Sequence, residues 1–147
     1  MAEPQPGFVG AKAALLCDDH VLVYLRDDFA GLPWAGQWDL PGGGREGCES
    51  AQDCVLREIA EEFGLNLPPE RLIYRAQLPS AADPAAMSWL FGGWIDPAEI
   101  AAIRFGSEGQ RWQMMPVATF IAHDGAIPAM RQRVAMVRDA LRAAAAR

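Results

Sequence analysis

Glu58, Glu61 and Glu62 stand at i, i+3 and i+4, with Arg57 directly before them and Glu49 a short way upstream. On a helix turning about 100° per residue, the three glutamates fall within an arc of about 100°. Like charges at that spacing weaken a helix by about a few tenths of a kcal/mol per pair, so something must offset the repulsion. A divalent cation does so, because hard cations take oxygen ligands. Arg57, one turn before Glu61, can hold that acid by an ion pair and can also reach Glu49. Upstream, Pro41-Gly42-Gly43-Gly44 form a glycine-rich turn whose backbone can approach a ligand closely. The residues leave a plainer reading open for each part: a solvated acidic face and a tight turn. Their conjunction favours a site.

These residues need a helix with defined ends, and the chain supplies one over residues 51–63. Ser50-Ala51-Gln52-Asp53 resembles a capping box with Asp at its last position, and Gly64 suits the left-handed position after a helix. Leu56, Ile59, Ala60 and Phe63 occupy an arc of about 100° roughly opposite the glutamates, which predicts one core face and one carboxylate face. Strands are expected over 8–16 and 20–26, joined by a hairpin turn at Asp18-Asp19. A loop over 27–37 and an extended Trp38-Asp39-Leu40 lead to the glycines. Further strands are expected over 71–78, 87–95 and 110–115, with a helical turn at 97–102 and a short helix from Pro116 to Ile121. A terminal helix over 128–146, opened by Pro128, should pack Val134, Val137 and Leu141 on the core. Interleaved strands and helices place the chain in the α/β or α+β class.

The 147 residues suit one domain, 1–147, with a substantial core. A net charge of −6 argues against a general nucleic-acid binder, which would carry a basic patch. A small anionic substrate remains compatible if a metal bridges it to an acidic site. No apolar run reaches membrane-spanning length, and the N-terminus lacks the pattern of a secretory signal. Cys17, Cys48 and Cys54 are odd in number and contain no CxxC pair, so neither a disulfide framework nor a zinc site is expected. The expected compartment is the cytoplasm.

From Gly43 to Leu65 the chain resembles the Nudix hydrolase signature, G-x5-E-x7-R-E-U-x-E-E-x-G-U, where U is bulky and aliphatic. Gly43, Glu49, Arg57, Glu58, Ile59, Glu61, Glu62, Gly64 and Leu65 fill every fixed position. The preceding Trp38-Asp39-Leu40-Pro41-Gly42 is similar to the lead-in of MutT-like members. The resemblance implies an α/β/α sandwich with a mixed sheet and hydrolysis of a nucleoside diphosphate linked to another moiety. It implies that Glu58, Glu61 and Glu62 bind Mg²⁺ or Mn²⁺ with the Gly43 carbonyl, that Arg57 orients the carboxylates, and that Glu49 supports them. Glu58 or a late-loop acid would take the proton from the attacking water. Glu108 suits that role, with Glu99 a weaker choice, although Arg111 precedes Trp112 where MutT-like members often place a Glu. Arg26 and Trp34 are candidates for substrate contacts, with Gly42 and Gly44 beside them, and the resemblance leaves a homodimer open. A Nudix-fold binding or regulatory module without turnover is the alternative. Such modules usually lose signature glutamates, and none is lost here. An isomerase on the same fold is a third possibility.

Overall fold

The computed structural model describes residues 7–146; the N-terminal stretch expected to lack a secretory signal lies largely outside them. The elements run β1 (Phe8–Cys17), β2 (His20–Leu25), β3 (Trp38–Asp39), β4 (Gly42–Gly44), α1 (Ala51–Phe63), β5 (Tyr74–Pro79), β6 (Met87–Trp94), α2 (Pro97–Ala101), β7 (Arg111–Pro116), α3 (Val117–Ile121) and α4 (Pro128–Ala145). The strands form one sheet in the order β3-β2-β1-β6-β5, with β4 added to β1 and β7 to β2. β1 and β6 are parallel and every other pairing is antiparallel, so the sheet is mixed.

Helices cover both faces of this sheet, which is why β1 and β2 read as almost continuous apolar runs. Strand alternation divides them between two cores. Ala11, Ala13, Leu15, Leu22 and Tyr24 pack toward α1 with Val55, Ile59 and Phe63. Ala14, Leu16, Val21 and Val23 pack toward α4, where Met130, Val134, Val137 and Leu141 form one buried stripe. The α/β/α sandwich expected from the signature is therefore the fold. Among the described residues, no helix is long and apolar enough to cross a membrane.

Three expectations change. The strand expected over 71–78 begins at Tyr74, because Pro69–Arg71 form a 3-10 turn with a proline at its start. The glycine turn is strand β4, in register Gly42 with Lys12, Gly43 with Ala11 and Gly44 with Gly10. On α1, the buried set is Ala51, Cys54, Val55, Ile59, Glu62 and Phe63, while Leu56 and Ala60 are only half-buried. The inward direction of the helix thus passes close to Glu62 rather than opposite it. Phe63, Ile59 and Val55 are fully buried and contribute roughly 1.5–3 kcal/mol each. That burial holds a carboxylate against the sheet that would otherwise stay in water.

Candidate active site

α1 starts where its sequence predicts: the Ser50 hydroxyl accepts the Asp53 N–H at 3.1 Å. It ends at Gly64, whose φ of 67° lies in the left-handed region and whose N–H bonds to Ala60 O. Between these caps, Arg57 gathers the acids. Its Nε and Nη2 donate to the two Glu49 carboxylate oxygens at 3.1 and 2.8 Å. Nη1 donates to Glu58 at 2.9 Å and to Glu61 at 3.2 Å, and Nη2 also reaches Gly44 O at 2.9 Å. This forked contact holds the Glu49 carboxyl down at about 2. Burial pushes Glu58 the other way, above its usual range, although Arg57 opposes the shift.

Glu62 lies deepest, at 7% exposure, and accepts the Gly42 N–H at 2.9 Å. Desolvation raises its pKa to about 8, even though Lys12 and the Gly42 amide both favour the charged form. Gly43 lies against Glu58: a Cβ placed on it would come within 2.7 Å of the Glu58 carboxyl carbon. A larger residue here would displace the Glu58 carboxyl from its place against β4. Cys54 fills the space behind, donating its thiol to Gly43 O at 3.7 Å, and burial raises it to about 12.

Two residues that the sequence reading passed over organise the floor. Lys12, the chain's only lysine, donates to Asp39 at 2.9 Å, Leu40 O at 3.1 Å and Gly42 O at 3.3 Å. Asp39 is almost wholly buried and also accepts from Arg26 at 3.2 Å, Tyr24 at 3.4 Å and the Leu40 N–H at 2.7 Å. Burial alone would lower the Lys12 pKa, but Asp39 and neighbouring anionic groups outweigh it and raise it. A single lysine inside an otherwise apolar strand, and an Asp between Trp38 and Leu40, were the signals available.

The late loop is stitched to the end of α1. Arg104 N–H and Gly106 N–H donate to Phe63 O and Glu62 O, each at 2.9 Å, satisfying terminal helix carbonyls. At its other end, the Gly109 N–H reaches Asp27 at 3.1 Å. Between these ties Glu108 lines a cavity of about 200 Å³ with Glu61, Glu62 and Ser107. Glu99 is occupied elsewhere, by Arg71 at 2.6 Å and by the capping box of α2.

A second cavity, of about 320 Å³, opens beside β4 and holds Arg26, Trp34, Lys12, Asp39, Gly43 and Gly44. The structure thus brings Arg26, Trp34 and Gly44 to one cavity, while Gly42, expected beside them, is buried and does not line it. Trp34 takes a positive φ of 56°, and Arg26 Nε holds Pro33 O beside it at 3.0 Å. Trp38 is core, whereas Trp89, Trp94 and Trp112 are half-buried. Arg133, read as one of several arginines on the terminal helix, is buried and lines this cavity. Its spacing from Met130 and Val137 puts it on the apolar stripe, a signal legible in the sequence.

The donor set suits a hard divalent cation: three carboxylates, with a backbone brought against one of them by Gly43. Among the described residues, no group of three His, Cys, Asp or Glu side chains is already gathered as a metal cage. Arg57 Nη1 engages both Glu58 and Glu61, whereas the Gly42 amide holds Glu62. That arrangement fits Mg²⁺, which commonly takes only one or two carboxylates and keeps the remaining positions for water and substrate phosphates.

The NUDIX domain model matches residues 8–135. A putative 8-oxo-dGTP diphosphatase from Bacillus subtilis (strain 168) is 36% identical over 75 residues, covering 51% of this chain and 48% of that protein. An 8-oxo-dGTP diphosphatase from Proteus vulgaris is 33% identical over 55 residues, covering 37% of this chain and 49% of that protein. The matches therefore span about half the length of these curated relatives. The crystal structure of a MutT protein from Methanosarcina mazei Go1 superposes with a TM-score of 0.70 at 20% identity, over 94% of this chain and 97% of that one.

Proposed function

Because the chain belongs to the NUDIX domain family, we propose that it hydrolyses a diphosphate bond in a nucleoside diphosphate linked to a further group. The favoured substrates are nucleoside triphosphates, oxidised ones included, as the names of the two curated relatives suggest. ADP-ribose-like compounds form the second class to test. The observation that carries this reading is the placement of Glu61 and Glu62 on the cavity that Glu108 also lines, with Arg57 tying Glu61 to Glu58 and the Gly42 amide holding Glu62.

Glu58, Glu61 and Glu62 would hold Mg²⁺ or Mn²⁺, with the Gly43 carbonyl as a further ligand. When bound, the cation neutralises the diphosphate, lowers the pKa of a water and stabilises charge as the P–O bond breaks. Arg57 keeps the carboxylates oriented and Glu49 keeps Arg57 in place. Arg26 leans over the second cavity and meets substrate oxygens there. Glu108, across from Glu61 and Glu62, takes the proton of the attacking water. Glu58 is the less suited acceptor, since Arg57 already engages it. The acidic net charge of −6 does not obstruct a polyanionic substrate. Lys12, Arg26 and Arg133 make the substrate cavity basic, with Asp39 as its one lining carboxylate among the described residues.

One screen tests the proposal: nucleoside triphosphates, ADP-ribose, nucleotide sugars and dinucleoside polyphosphates, each with Mg²⁺, Mn²⁺ or chelator. Phosphate or pyrophosphate release should require the metal and vanish in Glu61→Gln and Glu62→Gln. Full turnover in both variants would remove the carboxylate array from the mechanism. Tight nucleotide binding with no turnover would favour the non-catalytic module instead.

A further inference from the structure

Arg133 stands out among the cavity residues because its charge has no private counterion among the described residues. It is 7% exposed, and its one hydrogen bond among the described residues donates to Pro79 O. Among the described residues, Asp39 is the only carboxylate lining the cavity, and Lys12 and Arg26 already hold it at 2.9 and 3.2 Å. Burial correspondingly lowers the Arg133 pKa from its ordinary value, with Asp39 opposing the shift. A guanidinium has five N–H donors, and a buried one left largely unused is costly. Isolated buried charges are retained where a ligand completes them.

The rest of the cavity says what that ligand looks like. Around Arg133 the walls are Met130, Ile127, Ala81 and Ser88, and Trp34 stands on the same cavity. Ser88 donates to Leu78 O at 3.5 Å, so its oxygen is left as an acceptor. Of the three cationic side chains on the cavity, Lys12 and Arg26 are held by Asp39, whereas the Arg133 fork lies among Met130, Ile127 and Ala81, an apolar slot for a ring rather than for a second phosphate. A flat heteroaromatic ring with one polar edge matches that slot. Gly43 and Gly44 line the same cavity, and Gly44 O meets Arg57 of the carboxylate array. A nucleoside phosphate laid along it puts its phosphates at the glycines and its base at α4.

Resting on the hydrolase reading, we propose that Arg133 determines base specificity: its guanidinium accepts only bases that present a keto oxygen to it. Guanine offers O6 and uracil offers O4 there, whereas adenine and cytosine place an amine at the corresponding position. An amine facing the guanidinium sets donor against donor, and both groups then stay unsatisfied. Arginine is also the usual partner of the O6 edge of guanine.

The test uses the full chain and two readouts. Calorimetry with GMP, AMP, UMP and CMP measures the cavity without hydrolysis. Steady-state kinetics on the matching triphosphates with Mg²⁺ measures kcat/KM. The wild type should favour the keto member of each pair by about 10- to 100-fold. Arg133→Met, which keeps the stem and removes every donor, should bring both ratios close to one, chiefly through KM. Arg133→Lys, which keeps the charge but loses the fork, should give an intermediate ratio and covers the case in which the Met variant does not fold. Equal binding of GMP and AMP by the wild type, or an unchanged ratio in a folded Arg133 variant, would overturn the proposal. Absence of turnover on every triphosphate would count against the hydrolase reading alone, since the calorimetric ratios still report on Arg133.

Discussion

The carboxylate wall on α1 and the basic cavity beside β4 are neighbours built on opposite principles. The wall is local: Glu49, Arg57, Glu58, Glu61 and Glu62 belong to one continuous stretch, and most of their order comes from a single arginine. The cavity is assembled from distant pieces, with Lys12 on β1, Arg26 after β2, Asp39 on β3 and Arg133 on α4. Charge follows the same division. The wall concentrates negative charge, which under the proposed function a cation would complete. The cavity concentrates positive charge around one shared carboxylate, which an anionic ligand can complete. On the proposed function, an acidic protein would accept a polyanion because the two charges are separated over a few residues of backbone at β4. Gly42 and Gly43 carry that separation, one giving its amide to Glu62 and the other lying flat against Glu58.

Mutations in the two regions should fail in different ways. The largest effect is expected from Glu62→Gln, which should lower kcat by about 10³-fold or more while leaving GMP binding intact, as product assays and calorimetry would reveal. Loss of nucleotide binding in that variant would mean that the wall and the cavity are not separable. Next comes Lys12→Met, at the seam between them. It leaves two backbone carbonyls and part of the Asp39 charge unpartnered, and should cost about 3 kcal/mol in chemical denaturation. An unchanged unfolding midpoint would show that Arg26 alone suffices for Asp39.

Arg57→Ala should weaken Mn²⁺ binding or activity by about 10- to 100-fold, the range for groups that orient metal ligands. Manganese titration followed by paramagnetic resonance would measure it directly, and wild-type affinity would mean that the glutamates orient themselves.

The smallest effect is a pH slope in the metal-free protein. Glu62 titrates near 8 when folded and near 4.5 when unfolded, so the folded state holds the extra proton between those values. Stability should therefore fall as pH rises through that window, by about 1 kcal/mol from about pH 6 to about pH 7, and level off above about 8. Glu49 acts with the opposite sign in a lower window: its stabilisation is complete above about 4.5 and is lost as pH falls toward about 2. Melting curves at fixed chelator should show the Glu62 slope, and Glu62→Gln should abolish it. A slope that survives the substitution would place its origin outside the wall.

The sequence by itself determined the wall almost completely. Helix periodicity, the Ser50 and Gly64 caps and the Arg57 spacing are local properties, set within a few turns of one element, and α1 runs over Ala51–Phe63 as its pattern predicts. The layered fold was also legible, because two-sided burial leaves strands apolar on both faces. Only the tertiary structure decided which way α1 turns. Sequence periodicity put the core opposite the glutamates, yet packing on β1 and β4 draws Glu62 inward, and desolvation then moves its proton affinity. Tertiary structure alone also made a cavity of Lys12, Asp39, Arg26 and Arg133. Each is a single charge in its own segment, and what it can bind depends on partners that chain folding brings from far along the sequence.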